Sequence, residues 1–398
     1  MRKIIYLDQV IGPISIDLLN EFLQKGAQVE LYYGQSFKTY ADIPKGVKVH
    51  KKNPYHRESF SKRLGSWSRF FISTFWSLFF RRKNFELFIV TNPPLSVFTG
   101  YFLNLFFGVK YYLLVFDVYP DAIVQYNYLK EGHPVIRIWK YMMRKSLRRA
   151  EKVFTISEVM KKSLEKYNRD SRELIVINNW VDNRKIRPVA REENHFAREH
   201  GLQDKKVILY SGNFGKTHDM ECILEAAGLL KDHKDIHFLI IGDGEKRKMM
   251  EEKIKEGQLL NVTLLPFQPE EIFPYSITCG DLAIVTLGLG AESLSVPSKT
   301  YYMMAAGCAV ISLAAPESEL AHLVEKHEIG KISSPGEPQA LVKNILDILE
   351  NEALLHKFKI NSRETSALFT PENAKIFSRE ISFSIFLEEF HLGSIRND

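Results

Sequence analysis

The chain is 398 residues long, enough for two or three domains that each bury a core, and its 45% hydrophobic and 26% charged content excludes disordered and collagen-like classes. Its three cysteines, Cys222, Cys279 and Cys308, form no CxxC pair, which argues against a disulfide scaffold and against a zinc site. The net charge of +6 is the sum of a basic part and an acidic part: residues 1–190 hold 32 Lys+Arg against 16 Asp+Glu (+16), and the rest holds 22 against 32 (−10). Such a basic half either meets an anionic partner, such as a membrane face, a lipid phosphate or nucleic acid, or is a chance imbalance on a solvated surface. The opening MRKIIYLDQV has a strand pattern and not that of a secretory leader, so a cytoplasmic protein is expected.

In chain order, short β-branched or aromatic runs alternate with longer amphipathic stretches, the pattern of parallel α/β layers. Strands are expected at 3–7, 29–33, 47–50, 87–91, 111–116, 152–156 and 175–177. The charged stretch 182–204, containing Pro188, reads as an interdomain linker, and the strand series restarts at 207–211, 237–241, 262–265, 282–286 and 309–313. Two doubly wound domains are therefore expected: 1–185, then a linker at 186–204, then 205–370. The final segment 371–398 is read as a helix whose phenylalanines need covering, packing back across the junction.

Two apolar stretches interrupt the basic half. FFISTFWSLFF (70–80) lies between Lys62/Arg63/Arg69 and Arg81/Arg82/Lys83. It is shorter than the roughly 20 residues that span a bilayer. It suits either a segment lying among anionic headgroups or a buried helix with basic ends. The stretch 95–116 divides into a buried helix, a tight turn at Gly108–Lys110 and a buried strand.

Three polar turns in the second half point to chemistry. The strand at 207–211 runs into Gly212-Asn213-Phe214-Gly215-Lys216-Thr217-His218, where two glycines let backbone approach a ligand and the following helix N-terminus attracts an anion. Lys216 and His218 are expected to add donors there, with helix capping an alternative for His218. The next strand ends in Gly242-Asp243-Gly244-Glu245. The third turn, Ala291-Glu292-Ser293-Leu294-Ser295-Val296-Pro297-Ser298-Lys299, precedes the small-residue run Tyr302-Met303-Met304-Ala305-Ala306-Gly307. It joins backbone N–H groups to a positive charge. Any one of these is weak, since a tight turn needs glycine too; three in successive α/β units suggest a nucleotide-diphosphate ligand.

In this order, the GNFGxxH turn, IIGDGE and ESLSVPSKxYYMMAAG resemble the donor half of retaining GT-B glycosyltransferases of family 4, nearest the bacterial capsule and O-antigen branch. Asn92-Pro93-Pro94, Phe116–Asp121, AEKVFTIS at 150–157 and Asn178–Asp182 fall where that branch has similar motifs. The resemblance implies two facing Rossmann-like domains, with acceptor bound by the first and donor by the second. It implies that Glu292 contacts the transferring sugar and that Gly12, Gly212, Asn213, Lys216, His218, Gly242, Gly244, Ser295, Val296, Lys299 and Tyr302 surround the donor. The family's second carboxylate would fall on Thr300 by spacing or Tyr302 by alignment, and its phosphate-binding Arg and Lys would fall on Asn213 and His218. Lys216 and Lys299 would then replace the missing charge. The His-Asp pair of many relatives becomes Phe116-Asp117, leaving a carboxylate.

Glycosyl transfer needs a stabilised diphosphate leaving group and a base near the acceptor hydroxyl. With no DxD-like motif, Lys216, Lys299, His218 and helix N-termini are expected to meet the leaving-group charge, with no metal and no cofactor. The resemblance favours the leaving phosphate as proton acceptor; Asp117 is either a base or orienting group, or a carboxylate capping the turn after it. The expected partners are a nucleotide-sugar donor, with UDP-sugar favoured, a lipid-linked sugar acceptor and the anionic inner membrane face. No RNP, zinc-finger or helix-turn-helix pattern accompanies the charge, which argues against nucleic acid. A 2-epimerase-like isomerase acting on UDP-N-acetylglucosamine and a non-catalytic membrane-associated subunit are the alternatives.

Overall fold

The computed structural model describes residues 2–36, 42–56, 59–125, 127–167, 173–215, 217–287 and 297–381. They divide into two compact units, one of 2–178 with 371–381 and one of 179–370.

In the first unit the strands are β1 (Lys3–Leu7), β2 (Val10–Ile11), β3 (Gln28–Tyr33), β4 (Gln35–Ser36), β5 (Lys48–Lys51), β6 (Glu86–Val90), β7 (Tyr111–Val115), β8 (Lys152–Thr155) and β9 (Leu174–Val176). The helices are α1 (Pro13–Gln24), α2 (Phe60–Phe79), α3 (Ser96–Phe107), α4 (Asp121–Gln125), α5 (Pro134–Arg149) and α6 (Glu158–Glu165). Seven strands form one parallel sheet in the order β5-β3-β1-β6-β7-β8-β9, while β2 and β4 pair separately. Central strands such as Tyr111–Val115 are buried along their whole length, whereas the edge strand Lys48–Lys51 is largely exposed. That contrast follows from helices covering both faces of a parallel sheet.

The second unit repeats the plan with β10 (Lys206–Asn213), β11 (Ile236–Asp243), β12 (Val262–Leu265), β13 (Leu282–Thr286), β14 (Ala309–Leu313) and β15 (Gly330–Ser333). Its helices are α7 (His195–Glu199), α8 (Met220–Leu229), α9 (Arg247–Glu256), α10 (Phe273–Ile277), α11 (Lys299–Ala305), α12 (Glu319–Lys326), α13 (Pro338–Leu349) and α14 (Glu352–Thr365). The parallel order is β12-β11-β10-β13-β14-β15. Winding direction reverses between β1 and β6 in one sheet and between β10 and β13 in the other, and such reversal points open a crevice at the carboxyl ends of the strands.

All twelve expected strands form, within one or two residues of their expected ends; the short β2, β4 and β15 were not anticipated. The stretch 186–204, expected as an interdomain linker, is packed against the second unit. Ile186, Asn194, Phe196 and Leu202 are buried, and Arg363 donates to the carbonyls of Asn183 and Ile186, so it belongs to the second unit. The apolar residues spaced along its charged surface do the docking.

Of the final segment, residues 374–381 are helical and belong to the first unit; 382–398 lie outside the described residues. Phe377 sits 4.7 Å from Phe154 and 6.1 Å from Phe88, ring to ring, and the Ser378 hydroxyl donates to Glu21. Phe377 is thus one of the phenylalanines that needed a core, and it has one.

The 70–80 stretch is part of a longer helix, α2, capped by Ser59. Phe70, Thr74 and Leu78 face inward while Ile72 and Trp76 face out, so the helix is buried along one side only. The helix expected to be buried in 95–116 is α3, and it is buried only in part: Leu105, Phe106 and Phe107 are exposed. Among the described residues no helix is long and apolar enough to cross a membrane.

Candidate functional site

In the second unit the crevice edge is built from the ends of β10 and β11, the start of α8 and the start of α11. The strands continue into their glycine turns, with Gly212 opposite Gly242 and Asn213 opposite Asp243. Phe214 N donates to Asp243 O, Lys246 N to Phe214 O, and the Phe214 ring is fully buried beneath. A Cβ on Gly242 would lie 1.9 Å from Gly212 O, and one on Gly244 would lie 2.7 Å from Phe214 backbone atoms, both at positive φ. These two glycines are required by the close approach of one turn to the other, whatever ligand the edge holds.

Gly212 has a different neighbour. Tyr210 and Gly212 share a face of β10, because side chains alternate along a strand. The Lys299 side chain crosses that face: its Nζ donates to Tyr210 Oη at 2.8 Å, sits 4.1 Å from the ring centroid, and would meet a Gly212 Cβ at 3.0 Å. Burial lowers the Lys299 pKa to about 7. Tyr210 donates in turn to Asn213 O at 2.7 Å, and burial pushes its own pKa up.

His218 Nδ1 lies 2.5 Å from the same Asn213 carbonyl. Two acceptors cannot share a hydrogen bond, so Nδ1 carries the proton and Nε2 is left as an acceptor in the neutral ring. Burial, and then Lys299, lower the His218 pKa to about 4. This corrects two expectations. His218 supplies no cation to the ligand-free site near neutral pH, and it is not the helix cap: Asp219 caps α8 by accepting from Cys222 N, and also accepts from Gly336 N.

The two positions on which the family's second carboxylate would fall differ in setting. Thr300 is buried with its hydroxyl donating to Pro297 O at 2.8 Å, so it is committed to its own turn. Tyr302 is half-buried, edge-on to Phe273 at 5.5 Å. Lys216, Glu292, Ser295 and Val296 lie outside the described residues.

In the first unit the reversal point between β1 and β6 carries Gly12, which precedes Pro13 at the start of α1 in extended conformation. Beside it, and unforeseen, the buried Asp8 accepts from Ser15 Oγ at 2.6 Å and Val10 N at 3.1 Å. Burial raises its pKa to about 7. Asp117 follows β7, half-buried. Burial raises its pKa to about 6 against the opposing pull of Arg63. No hydrogen bond reaches its carboxylate among the described residues, so the capping role expected as an alternative is not met. Tyr210 and Asp8 escaped sequence reading because each looked like one more strand residue; the two-residue spacing from Tyr210 to Gly212 was the available signal.

Comparison with known proteins bears on this arrangement. Residues 191–365 match the glycosyl transferases group 1 family, and residues 15–185 match glycosyltransferase family 4. Each half of the chain thus matches a glycosyltransferase model, one in each unit. As expected, both halves of the chain are Rossmann-like parallel sheets. It is 30% identical over 260 residues to WbjE of Pseudomonas aeruginosa, named as a probable glycosyltransferase, covering 65% of each chain. It is 29% identical over 311 residues to WcaI of Escherichia coli K12, named for a colanic acid biosynthesis glycosyl transferase, covering 76% of this chain and 75% of that one. The match therefore spans just under two thirds of the first relative and three quarters of the second. In fold it resembles HepE of Anabaena, solved in complex with UDP-glucose, with a TM-score of 0.70 at 17% identity over 96% of this chain and 100% of that one.

Proposed function

We propose that this chain is a retaining glycosyltransferase that moves a sugar from a nucleotide-diphosphate donor, a UDP-sugar, to a lipid-linked sugar acceptor at the inner membrane face, in bacterial surface polysaccharide synthesis. The observation that carries the reading is Lys299: a cation held across a glycine at the carboxyl ends of the strands, where winding reverses. A diphosphate leaving group needs positive charge in a water-poor site, where each preorganised donor counts most. The two glycosyltransferase model matches, the polysaccharide role in the name of WcaI and the UDP-glucose bound by HepE support donor and product class.

In this mechanism Lys299, Lys216 and the N-terminus of α8 take up charge as the sugar–phosphate bond breaks. Glu292 contacts the sugar, with Ser295, Val296 and Tyr302 completing the donor pocket. Neutral His218 accepts through Nε2 from a hydroxyl of the donor. The leaving phosphate takes the acceptor proton, and Asp117 in the first unit orients the acceptor hydroxyl.

The test is thermal denaturation with UDP, GDP or ADP for wild type and Lys299→Met, which keeps the apolar stem. A nucleotide at 100 times its Kd adds about 2.7 kcal/mol of stability. A UDP-selective upward shift that shrinks in the variant is expected. No shift with any nucleotide would overturn the donor-site assignment and favour a non-catalytic subunit.

A further inference from the structure

The helices on one face of the first sheet carry a surface that nucleotide chemistry does not explain. Helices α2 and α3 pack side by side, with Phe75 against Phe102 at 6.1 Å and Phe79 against Phe107 at 5.1 Å between ring centroids. Their carboxyl ends leave an aromatic ridge in the open: Trp76 is 50% exposed, Phe80 80%, Phe106 58% and Phe107 41%. Exposed rings in contact with one another form a patch, unlike the isolated apolar residues that any surface tolerates.

Cations flank the ridge on both sides. Lys83 donates to the carbonyls of Leu78 and Phe79, closing α2, and its Nζ stands 4.4 Å from the Phe107 ring centroid, with exposed Arg82 beside it. On the other side Arg149, from α5, donates to Asn104 of α3 at 3.0 Å and lies 6.0 Å from the Tyr101 ring. Along α5 the outward stripe is Ile138, Tyr141, Lys145 and Arg148. The sequences of α2, α3 and α5 contain no aspartate or glutamate.

We propose that this ridge is a docking surface for an anionic lipid bilayer, on which the first unit lies with Trp76, Phe80, Phe106 and Phe107 among the headgroups. The inference deepens the reading of a lipid-linked acceptor and rests on it for purpose, though the surface stands on its own geometry. Aromatic side chains in the interface with flanking Lys and Arg are what such a surface requires, and no crossing helix is needed. The flanking cations disfavour a second copy of the same face, which would bring like charges together.

Co-sedimentation of the full chain with phosphatidylcholine vesicles, with and without phosphatidylglycerol, tests this. Binding is expected to be about tenfold stronger with the anionic lipid and to weaken with salt. Trp76→Ser/Phe80→Ser/Phe106→Ser is expected to lower binding about tenfold. Arg82→Glu/Lys145→Glu removes the preference for phosphatidylglycerol and serves if the triple variant is unstable. A wild-type chain that stays in the supernatant with both lipids, or variants that bind unchanged, would overturn the proposal. So would a dimer in sedimentation equilibrium that the ridge substitutions dissociate, which would give the surface to a second copy. The UDP-induced thermal shift, read on the same samples, separates the two readings: its persistence alongside lost vesicle binding would reject only the docking surface.

Discussion

Lys299 holds the site's pH behaviour. Its pKa in the ligand-free protein is about 7, below the ordinary 10.5, so the unfolded chain holds a proton that the native state has shed across that interval. The unliganded protein accordingly gains stability from this group as pH rises from 7 towards 10.5. Binding runs the other way: a diphosphate favours the charged form, so above pH 7 binding takes up a proton and affinity for UDP falls as pH rises. Calorimetric titration at pH 8 in buffers of different ionisation enthalpy is expected to reveal that uptake, which Lys299→Met abolishes. Tyr210 is the positioning residue behind it. Tyr210→Phe removes the acceptor for Lys299 and one donor to Asn213 O, and is expected to lower kcat about tenfold while the donor KM changes less, at about 1–3 kcal/mol of stability. Asp117, with its pKa raised to about 6, is expected to give kcat/KM an acid limb near that pH, which Asp117→Asn removes from the profile.

At the scale of elements, the glycine turns are the most constrained pieces. Gly242→Ala puts a methyl group into Gly212 O at a backbone φ of +152°, and is expected to cost about 3 kcal/mol or more in urea unfolding, through strain and a clash that neither strand can relieve. The strand-and-turn grammar was legible because each buried strand is a run of apolar residues ended by glycine or a polar loop. What escaped was whatever depends on a neighbour in space. His218 reads as a cation until burial is seen to hold its ring neutral, and that the Thr300 hydroxyl bonds Pro297 shows only once the turn is built. The stretch 186–204 reads as a linker because its charges outnumber its anchors, although Ile186, Phe196 and Leu202 are enough to dock it. The end of α3 reads as core because periodicity cannot tell a side facing the sheet from one facing out.

At the scale of the molecule, the two units are close in size but not alike in connection. The second is one continuous stretch, whereas the first is completed by residues from the far end of the chain. Phe377→Ala is expected to destabilise the first unit by about 3–5 kcal/mol, and the fluorescence of Trp67 and Trp139 should report that loss before the second unit melts. This connection also sets an order of assembly on the ribosome. Synthesis proceeds at about 5–20 residues per second, so the second unit emerges whole while the first still lacks its closing helix. For that interval the Phe88 and Phe154 rings have no Phe377 to cover them. A stop codon between positions 371 and 377 would make the interval permanent, leaving a finished carboxyl-terminal half tethered to an unfinished amino-terminal one.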